Sequence, residues 1–96
     1  MNDTYTLAGC NMTVVDLSVD AGAVIKAIPG LLLGVHVDVV MSAHAVVITD
    51  GGVTKITLAA STAAGTNLNF YGARFASDIT VTPNASSTGT ITVFWV

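Results

Sequence analysis

One third of this chain is branched at Cβ: 14 Val, 6 Ile and 13 Thr occupy 33 of its 96 positions. Such side chains are stiff at χ1 and fit the pleated, half-buried surface of a strand better than the crowded wall of a helix. No stretch of ten or more residues keeps a clean helical period with good helix formers. The expected fold is therefore all-β and antiparallel.

The strands are read from alternation and turn signals. Val15, Leu17 and Val19 alternate with Asp16 and Ser18 in a strand expected over 11–19. Asp20-Ala21-Gly22 turns the chain into a strand over 23–28, which Pro29-Gly30 ends. The longest run, 31–41, puts Leu31, Leu33, Val35, Val37 and Val39 on a core-facing side. Leu32, Gly34, His36, Asp38 and Val40 fall on a mixed side, where the glycine permits close approach of another backbone. Strands at 44–49 and 53–58 flank Asp50-Gly51-Gly52, the strongest hairpin signal in the chain. The Ala59–Gly65 segment reads as a loop or single turn. Short strands are expected at 68–71 and 73–76, and at 79–82 and 90–96. About eight short strands with turns every 8–12 residues define a small antiparallel β-sandwich or a jelly-roll-like barrel. The domain is assigned to 11–96, and the fairly polar residues 1–10 are read as an N-terminal arm.

Composition then limits function. Only 9% of the residues are charged while 52% are hydrophobic, and Glu and Gln are absent. A chain this short leaves roughly a third of its surface uncovered, and average soluble chains are about one-quarter charged. Too few ions are present to wet that remainder, so contact with other subunits is expected, as in obligate interfaces. A membrane helix needs about 20 apolar residues; the best stretch, 30–48, is interrupted by His36, Asp38 and His44. A net charge of −3 with only Lys26, Lys55 and Arg74 as cations supplies no field for nucleic acid. Cys10 is the sole cysteine, so it forms no internal disulfide; by default it reads as a small buried hydrophobe, the alternatives being a free thiol or an intermolecular partner. No basic-then-apolar leader opens the chain, and synthesis in the cytoplasm is expected.

No catalytic site is expected. Ser, His and Asp are present, but none sits in a nucleophile elbow, and the Asp residues read as turn formers at positions 20, 50 and 78. His36 and Asp38, with His44 near in sequence, are too few for a closed zinc site, so neither metal nor cofactor is expected. The adjacent Phe94 and Trp95 must face opposite ways in a strand. One enters the core and the other needs cover. Candidate contact residues are Phe94, Trp95 and the Leu32/Gly34/Val40 face. An exposed aromatic also suits stacking on a sugar ring.

From Gly30 onward the pattern resembles small virion proteins of tailed bacteriophages. A Val-rich strand pair with an Asp-Gly turn leads to an Ala/Gly loop and then Phe70-Tyr71-Gly72-Ala73-Arg74-Phe75. A final hairpin follows, Ile79-Thr80-Val81-Thr82 to Thr90-Ile91-Thr92-Val93-Phe94-Trp95-Val96. The resemblance implies a capsid-associated or tail-associated protein, often a homotrimer, that decorates or cements a shell by bridging major capsid subunits. It implies a place on the virion and no catalytic residues. The alternatives are a lectin-like carbohydrate-binding module on a phage tail or capsid surface, and a head–tail or tail structural component.

Overall fold

The computed structural model describes residues 2–7, 9–19 and 22–96. It is an antiparallel β-sandwich of strands β1 (Asn2–Leu7), β2 (Cys10–Asp16), β3 (Ala23–Lys26), β4 (Gly30–Val39), β5 (Val46–Asp50), β6 (Val53–Leu58), β7 (Asn67–Phe75), β8 (Ile79–Thr82) and β9 (Thr90–Trp95). Strands β2 to β9 form two four-stranded sheets, in the orders β2-β9-β4-β7 and β3-β8-β5-β6, and β1 adds to the free edge of β2. Every pairing is antiparallel, and the sheets do not close into one barrel. The pairs β2·β9, β3·β8, β4·β7 and β5·β6 nest inside one another along the chain. That is a long hairpin rolled over itself, the connectivity of a jelly roll.

The core lies between the sheets. Val15, Leu32, Val35, Val37, Phe75, Ile91 and Val93 of the larger sheet meet Ile25, Val46, Ile48, Leu58, Ile79 and Val81 of the smaller one. Each such side chain contributes about 1.5–3 kcal/mol when fully buried. The β5–β6 hairpin closes as the sequence requires: Asp50 pairs with Val53, and Gly51 and Gly52 take φ of 58° and 83°. Both central residues are left-handed, the geometry of a type I′ turn.

Two expectations need correction and one falls largely outside the described residues. The backbone of residues 2–7 is not a free arm but pairs with β2 along its length. The first two residues of the expected Asp20-Ala21-Gly22 turn lie outside the described residues. The third concerns β4, whose alternation breaks at a bulge. Leu32 pairs with Trp95 and Gly34 with Phe94, so Leu33 is an extra residue relative to β9. On the other side, Leu33 stands opposite three residues of β7, Phe70 to Gly72. A one-residue insertion exchanges the two faces. Leu32 is therefore in the core at 0% exposure, while Leu31 is exposed and Leu33 half-exposed. A second shift between Val37 and Val39 leaves Val39 exposed. The two short strands expected around Gly72 are one strand, β7, bent at this bulge.

Candidate functional site

The bulge shapes the outer face of the larger sheet. Partners in register share a face, so Gly34, Phe94 and Asn69 point outward together, as do His36, Thr92 and Asn67 in the next row. Gly34 has no side chain to cover the sheet between Phe94 and Asn69. The result is an open depression of about 330 Å3, bounded by Cys10, Leu33, Phe94, Asn67 and Asn69, with Gly34 in its floor. Cys10 is half-buried rather than in the core.

Gly34 is required there by the fold itself. A Cβ at this position would stand 2.7 Å from the Leu68 carbonyl oxygen, far inside contact distance. The close approach that the sequence suggested does occur, but the approaching backbone is β7 of the same chain.

The rim is polar and ordered. Asn69 Oδ1 accepts the Tyr71 N–H at 2.8 Å. A backbone amide can only donate, which fixes the orientation of the Asn69 side chain. Asn67 Oδ1 lies 2.6 Å from His36 Nδ1, a pair whose donor is set by the His36 tautomer. His36 Nε2 is 3.5 Å from Asp38 Oδ1, and Asp38 Oδ2 accepts the Thr92 hydroxyl at 2.6 Å. A continuous polar row, Asn67–His36–Asp38–Thr92, thus runs across the outer face beside the depression. His36 and Asp38 do meet, but His44 does not join them. Among the described residues no three His, Cys, Asp or Glu side chains come together to hold a metal.

The two terminal aromatics separate as alternation requires. Phe94 faces outward into the depression. Trp95 faces the other way, packs against the core, and donates its indole N–H to Thr13 Oγ1 at 2.8 Å. Tyr71 is the most exposed aromatic described, at 88%, and holds φ of 55° at the bulge. The sequence signal for it was the run of aromatics Phe70, Tyr71 and Phe75 around Gly72, not all of which can enter the core.

Of the five candidate contact residues, Leu32 is withdrawn, because a side chain at 0% exposure touches no partner. Gly34 is buried and offers only its backbone to the depression. Val40 is exposed at 54%, and Phe94 and Trp95 are each half-buried. Val40 lies where β4 ends, beside Val39 and near Val19 after β2, since β2, β4 and β9 meet there at the Asp16–Thr90 and Val39–Thr90 pairs. At the opposite end Leu31 and Val96 exchange two backbone hydrogen bonds of 3.0 Å, with exposed Ile28 just before β4.

Several of the few ions bond within the fold. Lys26 Nζ donates to the Val96 carbonyl at 3.2 Å and lies 5.7 Å from the Trp95 ring centre. Lys55 Nζ donates to the Arg74 carbonyl at 2.6 Å and lies 3.7 Å from Asp50 Oδ2. Asp50 accepts the N–H groups of Ala76 and Ser77 at 2.8 Å each and of Asp78 at 3.4 Å. The Ala76 bond first, then Ser77, Asp78 and the Lys55 charge, hold its carboxyl below the ordinary aspartate value, against the opposing effect of burial. Asp78 Oδ1 in turn accepts the Gly51 N–H at 3.0 Å. Asp50 and Asp78 do sit at turns, but each carboxylate bonds the backbone of the other's segment rather than its own; Asp20 lies outside the described residues.

The fold and this face define a jelly-roll β-sandwich with a charge-poor surface. No protein family, no curated protein and no solved structure matches the chain.

Proposed function

We propose that this chain is a structural subunit of a tailed-bacteriophage particle, which decorates or cements the capsid. In this reading it acts as a homo-oligomer, a trimer by the resemblance noted above, and bridges neighbouring major capsid subunits. The observation that carries the reading is the exposed apolar surface at both ends of the sandwich: Val19, Val39 and Val40 at one, Ile28, Leu31 and Val96 at the other. Among the described residues, Lys26, Lys55, Asp50 and Asp78 bond to backbone groups of the fold itself. Burying apolar area contributes about 25 cal/mol per Å2 before the costs of association. A modest contact repeated over many copies on a shell therefore becomes large. The nested sheet connectivity agrees with this role, since jelly rolls are common in capsid proteins, although fold alone does not fix function.

The test compares particles with and without the chain. Particles lacking it should melt at lower temperature and rupture more readily under internal pressure, and adding the purified chain back should restore both. Equal robustness of the two kinds of particle would remove the cementing role.

A further inference from the structure

We propose that the depression over Gly34 is a binding site for a neutral pyranose, with Phe94 as its stacking platform and Asn67 and Asn69 as its hydrogen-bonding rim. The site stands on the outer-face geometry and is separate from the cementing role. Three observations define the ligand. First, the cavity of about 330 Å3 is open, at the lower end of the range for small-molecule sites, and suits a single ring rather than a long chain. Second, none of the residues that line it carries a formal charge. Lys26, Lys55 and Arg74 do not line it, so phosphate or carboxylate finds no counter-charge and a neutral ligand is selected.

Third, the polar groups are of one kind, side-chain amides whose oxygens already lie against partners within the fold. Asn69 Oδ1 is taken by the Tyr71 N–H and Asn67 Oδ1 by His36 Nδ1. What each amide has left to offer is chiefly its NH2 group, so the rim presents donors to a ligand that brings acceptors. Phe94 supplies an apolar wall across from them. A pyranose combines an apolar C–H face with hydroxyl oxygens around its edge, and aromatic rings are the usual partners of that face. A purely apolar ligand would leave two side-chain amides facing it without acceptors, which is unfavourable.

The purified chain is tested by saturation-transfer NMR with the methyl glycosides of galactose, glucose, mannose, N-acetylglucosamine and rhamnose at millimolar concentration. At least one should receive saturation mainly through its ring C–H protons and shift the side-chain NH2 signals of Asn67 and Asn69. Phe94→Ala and Asn67→Leu should each weaken that binding about tenfold, the ratio corresponding to one lost contact of ordinary strength. Circular dichroism checks each variant for folding; Asn67 is exposed, so its variant keeps the test decisive if Phe94→Ala does not fold. Absence of binding to all five sugars would overturn the proposal, and so would unchanged binding in a folded variant. If the two NH2 signals move with protein concentration and not with sugar, a second copy fills the depression and the proposal is likewise overturned. Sugar binding by the free chain is read independently of particle robustness, so this result and the cementing test fail or succeed separately.

Discussion

The Trp95 indole N–H donates to Thr13 Oγ1 at 2.8 Å, joining β9 to β2 on the side of the larger sheet that faces the core. The contact anchors the core-facing one of two adjacent aromatics, because Thr13 is almost fully buried and offers a hydroxyl acceptor. Thr13→Val keeps the shape and removes the acceptor. The half-buried indole then loses this hydrogen bond, at a cost of about 1–3 kcal/mol. Urea unfolding followed by fluorescence of Trp95, the sole tryptophan, should show a lower midpoint with an unchanged slope.

Gly34→Ala should destabilise through a steric conflict rather than a lost contact. Its Cβ would meet the Leu68 carbonyl oxygen at 2.7 Å, and a backbone atom in a sheet has little room to yield. The cost expected for such overpacking is about 1–3 kcal/mol. Relief must come from β7, the edge strand, so hydrogen exchange should quicken at Leu68 to Phe75 more than at β9. Equal protection across the sheet would show that the strain is absorbed elsewhere.

The sequence made the strands legible because alternation and turn chemistry are local. Asp50-Gly51-Gly52 places a type I′ hairpin wherever the rest of the chain lies. The phase of β4 was not legible, because Leu31, Leu32 and Leu33 are equally apolar and either face qualifies as core. Only the bulge against Tyr71 and Gly72 chooses Leu32, and that choice depends on a strand some forty residues away. The depression was invisible for the same reason: Cys10, Gly34, Asn67 and Phe94 meet only through pairings distant along the chain. The polar residues 2–7 read as an arm because edge pairing uses backbone groups, which composition does not report.

The Asp50 carboxylate should make stability depend on acid pH. Its folded pKa lies below the ordinary value of 3.8, mainly through the Ala76 N–H, then those of Ser77 and Asp78 and the Lys55 charge. A depressed folded value means that the unfolded chain takes up the proton first. The stabilisation is therefore complete above the unfolded value and is lost as pH falls from about 3.8 through the folded value. Asp16, lowered by the Ser18 hydroxyl and then the Ser18 N–H, adds to the same trend. Asp50→Asn cannot titrate there and turns an NH2 group toward a donor cluster. It should melt lower than the parent at neutral pH and lose less of its midpoint on acidification. Identical slopes in the two proteins would place the acid sensitivity at other carboxyls.

Charge placed on the exposed valines should separate association from folding. Val39 and Val40 are exposed at the end of β4, with Val19 at the same end of the sandwich. Neither belongs to the buried core, so Val39→Asp or Val40→Lys should change stability by no more than about 0.5 kcal/mol. If this end is a subunit contact, an ion buried there without a partner strongly disfavours the complex. Light scattering over a range of concentrations should then show a smaller particle for either variant at an unchanged melting temperature. The same charge at Val53, exposed in the β5–β6 turn region away from that end, serves as the control and should leave the size unaltered. Loss of size in the Val53 variant alone would move the contact to the hairpin. A parent protein that remains a single copy at every concentration would leave this end without a role in self-association.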